Sequence, residues 1–116
     1  MAKHNKLGKE GELIAFMVLQ RDGFTILETN WRFQKAEIDI IAKKDGFLIF
    51  TEVKTRGSKK FGKPSDAIDK QKIALYKDAL EGYLEQYPSE DEIRFDVVNI
   101  IIGKDETKIE HITNAF

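Results

Sequence analysis

EIDIIAKKDGFLIFTEVK, residues 37–54, is the most informative stretch of this sequence. Two runs rich in apolar residues, Glu37–Lys44 and Phe47–Lys54, are separated in it by Asp45-Gly46. Asp-Gly between two such runs is a strong signal for a β-hairpin with a two-residue turn. Alternation along the strands places Ile38, Ile40, Ile49 and Val53 on one face and Ile41, Leu48 and Phe50 on the other. Because a sheet with one wet face would alternate apolar and polar residues, we expect a helix to cover each face.

The predicted turn also fixes which charged residues of the hairpin face each other. Asp39 falls opposite Glu52, and Glu37 falls opposite Lys54, so these four side chains share one face at the open end. Opposed carboxylates in a covered sheet are destabilising unless a positive charge compensates them. A divalent cation such as Mg²⁺ is one source of that charge. A structural salt bridge from Lys54 is the alternative, but the convergence of three acids and one base favours a metal site.

The rest of the chain continues the pattern of one α/β domain spanning residues 1–116. The predicted elements are a helix at Leu7–Arg21, a strand at Phe24–Asn30 followed by a turn at Trp31-Arg32, a loop at Thr55–Pro64, a helix from Ser65 to about Tyr87, and strands at Arg94–Ile102 and Lys108–Thr113. The order α-β-β-β-α-β-β predicts three layers, with a mixed central sheet between two helices. Arg94 and Asp96 share a strand face and are expected to form a structural ion pair.

Composition excludes several classes of protein. The chain has 116 residues and no cysteine, which excludes disulfides, thiolate zinc sites and cysteine nucleophiles. Its longest apolar run, Leu13–Leu19, is too short for a membrane span of about 20 residues. No Gly-Lys-Ser/Thr motif occurs, so a P-loop nucleotide site is excluded. The N-terminus does not resemble a signal peptide, and we expect a soluble, cytoplasmic protein without membrane contact.

Charge is distributed unevenly along the chain although the net charge is −1. Residues 1–72 contain 15 basic and 10 acidic residues, whereas residues 73–116 contain 4 and 10. A basic segment begins directly after Lys54 and is predicted to contact nucleic-acid phosphates. The candidate phosphate-binding residues are Arg56, Lys59, Lys60, Lys63 and, early in the second predicted helix, Lys72. Ordinary solvated surface is the alternative for each of them.

Asp39, followed on the next strand by Glu52-Val53-Lys54, resembles the PD-(D/E)XK motif of restriction-endonuclease-like nucleases. The resemblance extends over nearly the whole chain to the YraN-type family of small bacterial proteins, which are similar to archaeal Holliday-junction resolvases. The segments that carry it are residues 11–15 (GELIA), 30–32 (NWR), 37–39 (EID), 50–56 (FTEVKTR), 61–62 (FG), 72 (K), 94–97 (RFDV) and 114–116 (NAF). One departure is Ala36, where the family usually has glycine; we expect only a small backbone adjustment there.

The resemblance implies a restriction-endonuclease-like fold and a set of site residues. It assigns Mg²⁺ or Mn²⁺ to the carboxylates of Asp39 and Glu52 and the carbonyl of Val53. It makes Lys54 the catalytic lysine and Glu12, on the first helix, an additional catalytic carboxylate. Glu37 would be a supporting partner of Lys54 rather than a metal ligand.

The leading functional hypothesis is a metal-dependent endonuclease that hydrolyses phosphodiesters in branched or structured DNA, with a homodimer possible by the same analogy. Lys54 would orient water and offset the charge that develops on the phosphate. The first alternative is a nucleic-acid-binding module with a weak or silent site, for which salt-dependent binding without cleavage would be diagnostic. The second is a protein-interaction domain that uses the acidic end of the second helix and the last, edge strand.

Overall fold

The computed structural model describes residues 2–57 and 70–115, with side chains from Lys6 onward. Its elements are α1 (Ala2–Arg21), β1 (Thr25–Phe33), β2 (Ala36–Lys44), β3 (Phe47–Gly57), α2 (Lys70–Gln86), β4 (Glu92–Ile102) and β5 (Thr107–Ile112). The predicted order α-β-β-β-α-β-β is confirmed. Neither described helix is long and apolar enough to cross a membrane.

Several predicted boundaries were wrong: α1 begins at Ala2 rather than Leu7, β4 begins at Glu92 rather than Arg94, and β5 spans Thr107–Ile112 rather than Lys108–Thr113. Two further differences concern a turn and a loop, and one predicted boundary lies outside the described residues. The turn expected at Trp31-Arg32 is part of β1, which continues to Phe33 before a turn at Gln34, where φ is 54°. The loop expected from Thr55 begins later, because β3 runs on to Gly57 in register with β4. The predicted helix start at Ser65 falls within residues 58–69, outside the described part of the chain.

The five strands form one mixed sheet in the order β1-β2-β3-β4-β5. Neighbouring strands are antiparallel except β3 and β4, which are parallel, so α2 lies in the crossover between them. The predicted hairpin register is confirmed from Lys44 opposite Phe47 to Ile40 opposite Thr51. Asp45 and Gly46 both have positive φ, 51° and 84°, as the tight hairpin turn requires.

Each face of the sheet is covered by one helix, as the apolar pattern predicted. The buried residues on the α1 side are Ala15, Leu19, Phe24, Ile40, Ala42, Ile49, Val98 and Ile100. Those on the α2 side are Ala36, Ile38, Ile41, Leu48, Phe50, Tyr76, Ala79 and Tyr83. Ala36, the departure from the family pattern, is therefore an ordinary core residue at the start of β2. Trp31 anchors the α2-side core, with its ring 5.3 Å from that of Tyr83.

Ile38 and Ile40 pack on opposite faces of the sheet, which corrects the single face predicted for them. Residues two apart share a face only in a regular strand. The β1–β2 register is the same on both sides of this point, but the Asn30–Asp39 pair is missing from the ladder between Thr29–Ile40 and Trp31–Ile38. Asn30, at the skipped position of β1, has a left-handed backbone with φ 52°. Asp39, which has no partner in the β1–β2 ladder, therefore lies between a residue that faces α2 and one that faces α1.

A buried carboxylate also lies in the middle of β4, where Asp96 is paired in register with Thr51 of β3. Asp96 is fully buried (0% exposed) and accepts two hydrogen bonds from the Arg94 guanidinium, each 2.9 Å long. The predicted ion pair is thus confirmed, and two further partners join it. His111 Nε2 lies 2.7 Å from Asp96 Oδ2, and the backbone N–H of Asn114 donates to Oδ1 at 3.0 Å. Asp96 therefore ties β4 to β5 and to the turn that follows.

Candidate metal centre

A cavity of about 330 Å³ opens where β2 and β3 diverge, between the N-terminal half of α1 and the first turns of α2. Its lining residues are Glu12, Lys35, Ala36, Glu37, Asp39, Glu52, Val53, Lys54, Lys72, Leu75 and Tyr76. All predicted catalytic and metal-binding residues are among them. The structure thus brings Glu12 of α1, together with Lys72, Leu75 and Tyr76 of α2, to the acids and lysine of the central hairpin.

Where the backbone ladder between β2 and β3 ends, a hydrogen bond to the Asp39 side chain links the two strands. The last backbone pair is Ile40 with Thr51, one position short of the predicted Asp39–Glu52 pair. Beyond it, the Asp39 side chain reaches across, and its Oδ2 accepts the Val53 N–H at 2.7 Å. The divergence leaves room for the cavity while Asp39 and Glu52 still line it together.

The environment of Asp39 disfavours its negative charge. Burial, followed by the charges of Glu12, Glu52 and Glu37, raises the pKa of Asp39 to about 7, against the opposing effect of the Val53 N–H. Burial also raises the pKa of Glu12, and the neighbouring Glu37 charge adds to that shift. A site that gathers carboxylates in this way is stabilised by a proton or by a cation.

Glu52 is held in place by two side chains of α2. It is 5% exposed, and its Oε1 accepts a hydrogen bond from the Tyr76 hydroxyl and pairs with the Lys72 ammonium. Burial and the bond to Glu52 raise the pKa of Tyr76, which keeps the hydroxyl protonated as a donor. The other oxygen, Oε2, is buried and has no hydrogen-bond partner in the described part of the chain. Such an orphaned acceptor is costly unless something binds it.

Sequence reasoning missed Tyr76 and gave Lys72 a different role. Tyr76 packs in the α2-side core, and its hydroxyl also donates a hydrogen bond to Glu52. Lys72 was predicted to contact phosphate, whereas the structure pairs its ammonium with Glu52. The sequence contains one indication that Lys72 and Tyr76 act together. They are four residues apart, and side chains four apart lie on the same face of a helix.

Lys54 is half-buried beside these acids. Burial lowers the pKa of its ammonium, the charges of Lys72 and Arg56 lower it further, and the charges of Glu52 and Asp39 oppose the shift. Glu37, predicted to support Lys54, lines the same cavity and forms an ion pair with Arg32, with Arg32 Nε 3.6 Å from Glu37 Oε2.

Arg56 follows on the same strand face as Lys54, in register with Ile101 of β4. This places the first candidate phosphate contact close to the cavity. Lys59, Lys60 and Lys63, the other candidates in the basic segment, lie outside the described residues.

Glu12 reaches the cavity because α1 approaches β3 closely at the preceding residue. A Cβ on Gly11 would lie 1.9 Å from Thr55 Oγ1 and 2.8 Å from Thr55 Cβ, distances that only glycine permits. Asn30, at the kink of β1, forms a side-chain hydrogen bond with Glu12. The close contact and the kink together fix Glu12 beside Asp39.

We expect Gly11→Ala to destabilise the protein by about 1–3 kcal/mol, because the helix must move away from Thr55. Gly8→Ala is the matched control, since nothing lies within 4 Å of a Cβ there and alanine favours a helix by about 0.5–1 kcal/mol. Urea unfolding of both variants measures the difference. Equal free energies of unfolding for the two variants would show that the close approach of α1 is unimportant.

Comparison with known sequences places the chain in a family. The family model described as "Uncharacterised protein family UPF0102" matches residues 11–100. The chain belongs to the UPF0102 family. A UPF0102 protein of Flavobacterium psychrophilum is 49% identical over 116 residues, covering 100% of this chain and 98% of the relative. UPF0102 proteins of Christiangramia forsetii (47% over 116 residues; 100% and 98% covered) and Syntrophomonas wolfei (41% over 114; 97% and 99%) are also similar. The resemblance to the YraN-type family is thereby confirmed.

The cavity of this UPF0102 protein has the donors that a Mg²⁺ or Mn²⁺ ion requires. Among residues 2–57 and 70–115, no group of three or more His, Cys, Asp or Glu side chains is arranged to hold an ion. Mg²⁺, however, is usually bound by one or two carboxylates together with water and substrate phosphate. Asp39 and Glu52 provide two carboxylates, and the unpartnered Glu52 Oε2 is an acceptor that a cation would satisfy. The residues therefore fit such an ion.

Proposed function

We propose that this UPF0102 protein is a metal-dependent nuclease of the PD-(D/E)XK type that hydrolyses phosphodiester bonds in branched or structured DNA. The observation that carries the proposal is the cavity in which Asp39, Glu52 and Lys54 come together at the divergence of β2 and β3. The buried, unpartnered Oε2 of Glu52 supports a cation there. The preference for branched DNA comes from the resemblance to junction resolvases.

Different residues of the chain would hold the metal ion and position its ligands. Asp39 and Glu52 would hold Mg²⁺ or Mn²⁺, with the Val53 carbonyl as a third donor. When bound, the ion supplies a Lewis acid that polarises phosphate and lowers the pKa of water. Tyr76 and Lys72 fix Glu52 through Oε1, which leaves Oε2 for the ion.

Lys54 and Glu12 act from either side of the two ligands. The Lys54 ammonium, on the same face of β3 as Glu52, stabilises the charge that develops on the phosphate and orients the attacking water. Glu12 is a second carboxylate within the cavity, and its raised pKa suits it to accept a proton from water. Arg56 lies two residues further along β3 than Lys54 and would contact a neighbouring phosphate.

The test uses the wild-type chain with four-way junctions, flaps, duplexes and single strands of DNA. We expect cleavage in Mg²⁺ or Mn²⁺ and none in EDTA. Calorimetric titration with Mn²⁺ is expected to show a site whose affinity is higher at pH 8 than at pH 6. The sign follows from Asp39, whose pKa of about 7 means that it must lose a proton below neutral pH before it binds a cation.

Two results would contradict the proposal. Failure to bind Mn²⁺ at any pH would remove the metal centre. Mn²⁺ binding with salt-dependent DNA binding but no cleavage of any substrate would instead favour the nucleic-acid-binding module.

A further inference from the structure

A second groove lies next to the metal centre, over β4 and β5. Its volume is about 470 Å³, and it is lined by Asn99, Ile101, Lys108, Ile109 and Glu110. Lys108 and Glu110 are exposed, whereas Asn99 is 5% exposed and lies at the inner end. The groove therefore has a buried amide, the apolar side chain of Ile101 and a charged rim.

The sheet register places this groove on the same face as the metal centre. Val98 and Ile100 pack on the α1 side, so Asn99 between them faces the α2 side. In the parallel ladder Asn99 is the direct neighbour of Lys54, which shares a face with Glu52. Adjacent strands lie about 4.8 Å apart, so the inner end of the groove begins beside the Lys54 position.

Asn99 carries an unsatisfied polar atom. Its Oδ1 is buried and has no hydrogen-bond partner among the residues that the structure describes. Neighbouring Thr51 and Asp96 are also buried polar residues of the sheet, but neither of them lines this groove. A buried amide without a partner costs free energy, and a ligand that supplies the missing hydrogen bond recovers it.

From these features we propose that the groove binds the nucleobase next to the phosphate that is cleaved, an inference that rests on the proposed nuclease function. A base is flat and largely apolar on its faces, which suits the Ile101 side chain that shares a sheet face with Asn99. Its edge carries hydrogen-bonding groups, which suit the amide of Asn99. A bare phosphate would be attracted by Lys108 but repelled by Glu110, and it would leave the apolar surface of Ile101 uncovered.

The chemistry of the amide points to adenine. An asparagine side chain offers an acceptor and a donor side by side, and these match the N6 amino group and N7 of adenine. Glu110, paired with Asn99 across β4 and β5, adds a second acceptor near the rim. Lys54 then acts on the phosphate while Asn99 holds the adjoining base, so the groove selects where the strand is cut.

The experiment compares two cleavable DNA substrates that are identical except at the nucleotide next to the mapped cut, which is either adenine or an abasic site. We expect the wild-type protein to favour adenine about tenfold in kcat/KM, the discrimination typical of a good amide–base contact. Asn99→Ala is expected to lose that preference while its Mn²⁺ affinity and thermal midpoint stay near wild type. Gln20→Ala, which removes an exposed amide from α1, is the matched control and is expected to keep the preference.

The outcomes separate this inference from the proposed function. If the wild-type protein cuts both substrates equally, the base-binding groove is wrong while the nuclease stands, and this comparison needs no variant to fold. If Asn99→Ala retains the adenine preference, the groove is likewise wrong. If the wild-type protein binds Mn²⁺ but neither binds nor cuts DNA, the proposed function fails and the groove assignment fails with it.

Discussion

Asp39→Asn is expected to abolish cleavage and, at the same time, to make the metal-free protein more stable at pH 8. Cleavage should fall by at least about 10³-fold, since one of the two carboxylates that hold the cation becomes a neutral amide. The amide oxygen can still accept the Val53 N–H, which bonds to Asp39 at 2.7 Å in the native chain, so the strand geometry is retained. Opposite effects on activity and stability are characteristic of a residue kept for function.

The pH dependence of this stabilisation follows from the raised pKa. Asp39 has a pKa of about 7 in the folded protein and about 3.9 in an unfolded chain, so the unfolded state ionises first. The contribution of Asp39 to the free energy of unfolding is fully present below pH 4 and is lost as pH rises through 7. Asp39→Asn removes that loss, which is on the order of 2 kcal/mol for a half-buried group. Urea unfolding at pH 5 and pH 8 measures it, with the larger gain at pH 8.

Lys54→Met separates catalysis from metal binding. The variant keeps Asp39 and Glu52, so Mn²⁺ binding should remain, while cleavage falls by about 10²–10³-fold through loss of one charged group at the phosphate. Lys43→Met is the control, because Lys43 pairs with Asp91 at 3.2 Å on an exposed surface outside the cavity. Normal cleavage by Lys54→Met would refute the catalytic role of Lys54. The Lys54 ammonium would then serve only to neutralise the neighbouring carboxylates in the folded protein.

The hairpin and its charged residues could be predicted from sequence because both depend on local rules. Asp45-Gly46 specifies a two-residue turn, and the turn specifies the register from Lys44–Phe47 to Ile40–Thr51. Once the register is known, period-two alternation brings Asp39 and Glu52 to one end of the sheet. No information from distant parts of the chain is needed for this step.

The geometry beyond that register depends on contacts that local rules do not contain. Ile38 and Ile40 of β2 face opposite sides of the sheet, beside the left-handed backbone of Asn30, although the alternating sequence pattern of β2 gives no sign of it. Asn30 itself looked like the end of a strand, because asparagine tolerates a left-handed backbone in turns as well. The partnership of Tyr76 with Glu52 needs the packing of α2 on the sheet, which side-chain spacing alone does not supply.

In the middle of β4, outside the cavity, Asp96→Asn is expected to cause a larger loss of stability than any of the other substitutions. Asp96 is fully buried and receives the Arg94 guanidinium, His111 Nε2 and the Asn114 N–H. Asparagine can accept some of these bonds, but it leaves the Arg94 charge, which is largely buried, without its counter-charge. Breaking one partner of a buried pair typically costs about 3–5 kcal/mol, a large share of the 5–15 kcal/mol that stabilises an ordinary domain.

The pH dependence of this loss has the opposite sign to that at Asp39. Although burial disfavours the charge of Asp96, hydrogen bonds from His111, Arg94 and Asn114 outweigh it and lower its pKa. The stabilisation is therefore present above the unfolded pKa near 3.9 and disappears as pH falls through the lower folded value. Urea unfolding should show the full difference between wild type and Asp96→Asn at pH 7, and a difference that shrinks steadily in acid.

An exposed aspartate provides the comparison that makes this result interpretable. Asp22 pairs with Arg21 at 3.1 Å, with side chains 42% and 71% exposed, so Asp22→Asn should change the free energy of unfolding by less than about 1 kcal/mol. A loss at Asp96 no greater than that at Asp22 would mean that Arg94 and His111 find other partners. A large loss would instead establish Asp96 as the residue that fastens β5 and the following turn to β4. Because Asp96 lies outside the cavity, neither result bears on metal binding, so stability and function can be assessed separately in one chain.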